Sequence, residues 1–234
     1  MKRILYFFLG LIAFLSLLCS IAASCITNEN LMKQGFLSYS RTAHLNVSPT
    51  RYEDYAKAIC DYLDGKTPVT QIANSDTSET EPAFSDKENR HMADVKGIVS
   101  LLKIVRWAGG GIVIGALLLL YLKSKENKAK FLSDTVRGFA LSALFLLLIA
   151  TVLAIWGAVN FDGLFVTFHK LSFSNDLWIL NPNTDLLVAL MPLPFFIWYA
   201  GEMLKSMLPV LGMMVLIPLV WLRRIKTAQA GPYT

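Results

Sequence analysis

Four apolar segments without any charged residue constrain the fold of this chain most strongly. Residues 4–23, 108–122, 138–160 and 206–222 contain no Asp, Glu, Lys or Arg. A helix needs about 20 predominantly apolar residues to cross the hydrocarbon of a membrane. Basic side chains close to a span can reach the headgroups, so each span extends somewhat beyond its charge-free core. The sequence therefore predicts an all-α membrane protein with four transmembrane helices, at about 4–26, 104–122, 138–160 and 195–222.

The composition agrees with this prediction and excludes several other classes of protein. Of the 234 residues, 54% are hydrophobic and 17% are charged, whereas a soluble domain has about 45–50% and 25%. The chain is therefore neither a simple cytosolic globule nor disordered. The net charge of +5 lies mainly beside the apolar segments, which indicates membrane topology and no nucleic-acid partner. We expect a single membrane domain over residues 1–234.

The basic residues that flank the spans predict the orientation. Short cytoplasmic segments carry an excess of Lys and Arg. Ten such residues precede the first span, separate the second from the third, or follow the fourth: Lys2, Arg3, Lys123, Lys125, Lys128, Lys130, Arg137, Arg223, Arg224 and Lys226. Both termini are therefore predicted to be cytoplasmic. Residues 27–97, a helical and loop segment, and residues 161–194 are predicted to be external.

The N-terminus has a second interpretation. Lys2, Arg3, an apolar stretch and then Ala22–Cys25 resemble a lipoprotein signal peptide that is acylated on Cys25. The apolar stretch has about 20 residues, against about 7–15 in a signal peptide, which favours an uncleaved helix. Cys25 and Cys60 are both predicted to be external, where a disulfide is permitted. The sequence does not establish the distance between them.

The external segments contain two predicted helices. The first begins near Pro49 and ends at Gly65, and a polar loop is predicted over 66–84. Ser85 and Glu88 form a capping box that begins the second helix, over about 86–122. Glu88, His91 and Asp94 follow one another at intervals of three residues, so they share roughly one face of that helix.

Histidines give the sharpest chemical signal. All three of them, His44, His91 and His169, lie in the predicted external segments, and five aromatic residues between 161 and 178 surround His169. A histidine near the membrane surface can act as a general acid or base. It can equally be an amphipathic surface residue, which is our interpretation of His44; for His91 and His169 both interpretations stay open.

Other kinds of catalytic centre have weaker support. Glu88, His91, Asp94 and His169 are residue types that bind zinc. The sequence lacks the His-Glu-x-x-His and Cys-x-x-Cys spacings, so we expect no metal. It also lacks the Gly-x-Ser-x-Gly nucleophile motif and a P-loop, and we expect no cofactor.

Several of these segments together resemble the lipoprotein intramolecular transacylase family, Lit. The resemblance covers nearly the whole chain and includes the external helix that ends at 62–66. The motifs are Glu88-x-x-His91-Met92-x-Asp94-Val95-Lys96, Phe168-His169-x-Leu171-x-Phe173 and Trp178-x-Leu180-x-Pro182-x-Thr184-Asp185-x-Leu187. Two positions depart from the family pattern: Asn181 replaces an Asp and Leu193 replaces a Glu, so no carboxylate role is expected there.

The resemblance implies an acyltransferase that acts on diacylated bacterial lipoproteins, at the outer face of the cytoplasmic membrane and among membrane lipids. It moves the sn-2 acyl chain of the S-diacylglyceryl group to the α-amino group of the N-terminal cysteine, which gives the lyso form. Matching positions imply that His91 and His169 are catalytic. Two alternatives stay open: an external metal-dependent lipid or peptide hydrolase, and a non-enzymatic accessory or pH-sensing protein.

Our hypothesis for the site assigns roles to residues around the two histidines. His91 is the base and His169 stabilises the oxyanion or protonates the leaving oxygen, with the reverse assignment also open. The supporting carboxylates are Glu88, Asp94 and Asp185. The expected substrate-binding residues are Arg90, Lys103, Arg106, Phe165, Phe173 and Trp178. For Lys103 and Arg106, snorkelling at the membrane surface is an alternative role.

Overall fold

The computed structural model describes residues 2–73, 80–124 and 127–229. Four of its helices, at Arg3–Ile26, Asp86–Lys123, Lys128–Val159 and Leu193–Arg224, are long and apolar enough to cross a membrane. They confirm the prediction of an all-α protein with four long apolar helices. Lys125 lies outside the described residues. The elements are α1 (Lys2–Ile26), α2 (Glu29–Tyr39), α3 (Tyr52–Asp64), β1 (Gln71–Ala73), β2 (Thr80–Pro82), α4 (Asp86–Lys123), α5 (Lys128–Val159), α6 (Phe161–Ser172), α7 (Leu186–Leu190) and α8 (Leu193–Gln229).

The stretch between α1 and α4 agrees in part with the sequence. Two 3₁₀ turns, Ala43–Leu45 and Pro49–Arg51, precede α3. α3 ends with Asp64, and the next residue is Gly65, whose φ of +86° favours glycine. The predicted loop over 66–84 contains the two short antiparallel strands β1 and β2. Residues 74–79 of that stretch lie outside the described residues.

The chain divides into two compact units. The first comprises residues 1–21, 103–156 and 205–234, and the second comprises residues 22–102 and 157–204. Because α1, α4 and α8 are continuous helices, each contributes one part to each unit. The three predicted external histidines all belong to the second unit.

Small residues let the helices of the first unit approach closely. The Ser142 hydroxyl of α5 donates to the Phe7 carbonyl of α1 at 2.6 Å, next to Gly10 and Gly138. The Ser16 hydroxyl of α1 donates to the Val105 carbonyl of α4 at 3.2 Å. Close backbone approach at small residues is the usual way in which membrane helices associate. The α1 backbone is therefore held against both α5 and α4.

Replacing Gly138 with Leu is expected to destabilise this contact. A Cβ at position 138 would lie 2.9 Å from the Phe7 backbone nitrogen and still closer to Tyr6. We expect a loss of about 1–3 kcal/mol in the free energy of unfolding, the typical cost of overpacking. Gly115→Leu is the matched control, because a Cβ there has no neighbour within 4 Å. Thermal unfolding in detergent measures both variants, and equal midpoints would contradict the expected effect.

A single hydrophobic core organises the second unit. It joins α2, α3, the start of α4, α7 and the start of α8. Phe36 and Phe195 are almost completely buried, and their ring centroids lie 5.7 Å apart. The Tyr199 hydroxyl donates to the Cys25 carbonyl at 2.6 Å, which fixes the start of α8 to the end of α1. Cys25 and Cys60 are buried and not bonded to one another.

Candidate active site

The start of α4 is fixed by Glu88. The Ser85 backbone nitrogen and hydroxyl donate to Glu88 Oε2 at 2.9 and 2.7 Å, which forms the capping box expected from the sequence. Oε1 accepts a hydrogen bond from the Leu187 backbone nitrogen at 2.6 Å. The Glu88 side chain is buried. One carboxylate therefore holds the first turn of α4 against the start of α7.

His91 lies one turn farther along α4 and is almost completely buried, with 7% of its surface exposed. The edge of its ring packs against Phe173, with ring centroids 5.2 Å apart. Its Nδ1 is fully buried, and no described residue forms a hydrogen bond to it. A buried N–H without a partner is rarer than a buried acceptor without one, so the favoured tautomer carries its proton on Nε2. Nε2 is then the ring nitrogen that can donate to a substrate.

His169 lies on α6 in a pocket of aromatic rings. Its Nδ1 is 2.8 Å from the Phe165 carbonyl oxygen. Since a carbonyl can only accept, Nδ1 carries the proton and Nε2 has a free lone pair. The ring centroids of Phe165, Trp178 and Phe173 lie 4.1, 5.0 and 5.5 Å from that of His169. The three aromatic residues that the sequence predicts near the substrate are therefore brought together here.

The two histidines are neighbours. Their ring centroids lie 6.2 Å apart, with the rings inclined by 30°. His91 offers a donor at Nε2 and His169 offers an acceptor at Nε2, so the pair carries complementary hydrogen-bonding functions. A carbonyl and an amine placed between them would meet both functions.

Burial makes both rings resist protonation. Desolvation, with a smaller contribution from the nearby His169, lowers the pKa of His91 to about 4. Desolvation also lowers the pKa of His169, and its hydrogen bond to the Phe165 carbonyl opposes that effect. α4 has 38 residues, nearly twice the ~20 that a span requires, and His91 lies in its charged first turns, before the predicted span. Both imidazoles are therefore neutral at neutral pH.

The predicted supporting carboxylates bond to groups other than the histidines. Asp94 Oδ2 accepts from the Asn175 side-chain nitrogen at 2.9 Å. Asp185 Oδ2 accepts from the Asn181 backbone nitrogen at 2.8 Å, and Lys87 lies 3.9 Å from the same oxygen. Among the described residues, His91 donates no hydrogen bond to the Glu88 or Asp94 carboxylate, so neither of them supports the imidazole directly. These carboxylates position the segments that carry the histidines.

Three basic residues, Arg90, Lys103 and Arg106, are predicted to bind substrate. Arg90 is exposed on α4. Lys103 and Arg106 belong to the first unit, and the Arg106 guanidinium lies over the Trp107 ring, 4.6 Å from its centroid. His44 Nε2 lies 2.9 Å from the Pro182 carbonyl. As expected from the sequence, His44 is an exposed residue, and it connects two loops.

A cavity of about 350 Å³ is lined by residues that follow the two histidines along the chain, among them Asp94 and Phe173. Phe173 lies in its wall and also packs against His91. Its polar part contains Asp94 and Asn175, and its apolar part contains Ile98 and Leu101. Such a volume is typical of small-molecule and cofactor sites. The cavity therefore offers both polar and apolar groups, and Phe173 connects it to the histidine pair.

Asn175 is a site residue that the sequence analysis missed. It lines the cavity and holds Asp94, but it lies 81 positions from its partner. A single Asn in a polar loop gives no periodic or motif signal of such a contact. Within residues 2–73, 80–124 and 127–229, no group of three His, Cys, Asp or Glu side chains has an arrangement that could hold a metal ion.

Fold and site together define a multi-pass α-helical membrane protein with a buried pair of neutral histidines in an aromatic pocket. The family model of the lipoprotein intramolecular transacylase Lit matches residues 6–196. The chain belongs to this family, which confirms the resemblance found in the sequence.

Solved structures agree at the level of the fold. The membrane-integral lipoprotein intramolecular transacylase Lit from Bacillus cereus superposes with a TM-score of 0.65 and 23% identity, covering 99% of both chains. A variant of that protein with one histidine replaced by alanine gives the same TM-score at 22% identity, covering 97% of this chain and 96% of that one. No curated protein matches the sequence significantly.

Proposed function

We propose that this protein is a lipoprotein intramolecular transacylase that converts diacylated lipoproteins to the lyso form. It transfers the sn-2 acyl chain of the S-diacylglyceryl group to the α-amino group of the same N-terminal cysteine. The observation that carries the proposal is the buried pair His91 and His169, with ring centroids 6.2 Å apart and complementary tautomers, in a chain of the Lit family.

The reaction needs no cofactor because donor and acceptor belong to one molecule. The bond between the acyl carbon and the sn-2 oxygen breaks, and a bond between the acyl carbon and the amine nitrogen forms. One proton leaves the nitrogen and one reaches the glyceryl oxygen, so an ester becomes an amide and a free hydroxyl. Holding the two groups in contact can remove up to about 7–11 kcal/mol of the barrier.

His169 carries the proton in this mechanism. Its Nδ1–H is held by the Phe165 carbonyl, so its Nε2 lone pair accepts the proton from the attacking amine. The imidazolium then protonates the departing glyceryl oxygen and returns to its starting tautomer. A single histidine that serves first as base and then as acid is a familiar solution for acyl transfer. The structure thus favours the reverse of our first assignment.

His91 stabilises the negative charge that develops on the acyl oxygen. Its low pKa, about 4, keeps it neutral while His169 carries a proton, because two adjacent imidazolium ions would repel each other. A neutral imidazole with its pKa lowered by the environment can polarise a carbonyl through its N–H. Nε2–H of His91 is that donor in our proposal.

The surrounding groups position the substrate. We assign the aromatic pocket of Phe165, Phe173 and Trp178 to exclusion of water from the acyl ester. The cavity beside Phe173 holds the glyceryl and peptide groups near Asp94 and Asn175, and an acyl chain along Ile98 and Leu101. Arg90, Lys103 and Arg106 stay candidates for contacts with headgroups.

The proposal includes the orientation of the chain in the membrane. We propose that the chain is a single membrane domain with both termini cytoplasmic and with the histidines at the outer face of the bacterial cytoplasmic membrane. ATP and acyl-CoA are not available there, which suits a reaction that uses an acyl ester already present in its substrate. Because the histidines lie on segments outside the predicted spans, the external assignment follows from the distribution of Lys and Arg.

Mass spectrometry of a lipoprotein N-terminus tests the function. The chain is produced with a diacylated lipoprotein in a host without other N-acylating activity, and the N-terminal tryptic peptide is fragmented. Intramolecular transfer leaves the intact mass unchanged and moves one acyl chain to the nitrogen-containing fragment. Loss of an acyl mass would indicate a hydrolase, and an unaltered diacylglyceryl cysteine would contradict any enzyme activity on this substrate.

A further inference from the structure

A second cavity lies in the first unit, and none of the residues in its wall has a role in the proposed reaction. Its volume is about 430 Å³. Three of the residues in its wall are basic and one is a tryptophan. The lining comes from the start of α1, the first turns of α5 and the last turns of α8: Arg3, Ala129, Lys130, Leu132, Ser133, Asp134, Arg137 and Trp221.

The position of this cavity relative to the apolar segments fixes its depth in a membrane. Arg3 directly precedes the charge-free run 4–23, Arg137 directly precedes 138–160, and Trp221 lies at the end of 206–222. Three separate spans therefore change from apolar to polar at the same cavity. Trp is also the residue type that is enriched at the membrane–water boundary. The cavity thus lies at the depth of lipid headgroups.

The basic residues of the cavity wall outnumber its acidic ones. No salt bridge involves Arg3, Lys130 or Arg137 within the described ranges 2–73, 80–124 and 127–229. Three cations and one carboxylate, that of Asp134, line the wall, so the lining carries an excess of positive charge. Lys130, Asp134 and Arg137 share one face of α5, because residues three and four apart are neighbours on a helix.

We propose that this cavity binds the headgroup of an anionic membrane phospholipid. The phosphodiester lies among Arg3, Lys130 and Arg137, and the Ser133 hydroxyl and the Asp134 carboxylate are placed to bond with polar groups of the headgroup. Trp221 packs beside the glycerol backbone. Basic pockets between transmembrane helices are known to take anionic headgroups. A lipid seated here joins the ends of α1, α5 and α8.

The concave arrangement of its basic residues distinguishes this site from the other Lys and Arg residues that are predicted to be cytoplasmic. Lys123 is exposed at the end of α4 and Arg224 is exposed near the end of α8, and neither lines the cavity. Orientation in a membrane depends on the number of Lys and Arg residues and requires no concave arrangement. The basic residues inside and outside the cavity are predicted to face the same side of the membrane. Two substitutions inside the cavity can therefore be compared with two outside it that remove the same charge.

Lipid binding to the purified full-length protein tests the proposal. Native mass spectrometry in a neutral detergent compares added phosphatidylglycerol with phosphatidylcholine, and thermal unfolding is measured with the same lipids. We expect selective binding of phosphatidylglycerol and a higher unfolding midpoint, since a ligand that binds only the folded state stabilises it. Lys130→Gln with Arg137→Gln should weaken phosphatidylglycerol binding at least tenfold, at roughly fivefold for each cation. Lys123→Gln with Arg224→Gln removes the same charge and should leave the affinity unchanged.

Three results would overturn the proposal. One is equal binding of the two lipids by the unmodified protein, a result that requires no variant to fold. Another is an equal loss of affinity in the cavity and control variants. The third is an increase in the unfolding midpoint with inorganic phosphate alone that is as large as the increase with phosphatidylglycerol. This result would indicate a site for a free anion. Acyl-transfer activity is assayed in parallel, and its presence or absence does not affect this comparison.

Discussion

His169→Gln is expected to reduce the rate of acyl transfer by about 10²–10⁴-fold, the range that general acid–base catalysis contributes. Glutamine can offer an oxygen near the position of Nε2, but it cannot accept and return a proton at neutral pH. The fraction of lyso lipoprotein formed over time, measured by fragmentation of the N-terminal peptide, gives the rate.

The same substitution at the other two histidines separates the roles. His91→Gln keeps an N–H near the position of Nε2, so we expect a smaller loss than in His91→Leu, where removal of an oxyanion donor costs about 10²–10³-fold. His44→Gln, on an exposed loop, should retain the full rate. A larger loss of rate in His91→Gln than in His169→Gln would exchange the two roles. Rates within tenfold of the unmodified protein in both variants would remove histidine catalysis from the mechanism.

Glu88→Ala is expected to have the largest effect on stability, a loss of about 2–4 kcal/mol in the free energy of unfolding, from the lost helix cap and the unsatisfied buried donor. The substitution removes the acceptor for two donors of Ser85 and leaves the buried Leu187 backbone N–H without a partner. α7 then loses its connection to α4, so activity should fall as well. Equilibrium unfolding in detergent measures the effect.

Asp86→Ala is the matched control for that experiment. Asp86 is an exposed carboxylate in the same first turn of α4, so its loss should cost less than about 1 kcal/mol, the usual range for charges near a helix end. Glu88→Gln should fall between the two, because its amide oxygen can still accept from one donor. If Glu88→Ala and Asp86→Ala unfold alike, the bridge from Glu88 to Leu187 does not contribute to stability.

Features that depend on residues close to one another in the sequence could be predicted from it. The four long helices follow from charge-free segments, and the beginning of α4 follows from the spacing of Ser85 and Glu88. The resemblance to the family motifs indicated both His91 and His169 as site residues. In each case the signal lies within one element.

Contacts between distant segments could not be predicted in this way. The second bond of Glu88 goes to Leu187, 99 positions away, and Asp94 bonds to Asn175 instead of supporting His91. A carboxylate one turn from a histidine is a natural candidate partner, but each of these carboxylates satisfies a donor on another element. The strands β1 and β2 were also missed, because three-residue strands are too short to show an alternating pattern.

The hydrogen bond from His169 to the Phe165 carbonyl does not depend on the side chain at position 165. In many histidine sites the proton position depends on a particular acidic side chain, which mutation can remove. Here the acceptor is the main chain of the same helix, four residues earlier, and every amino acid at position 165 supplies that carbonyl. A substitution at 165 therefore changes the ring that packs against the imidazole but leaves the acceptor that sets its tautomer in place.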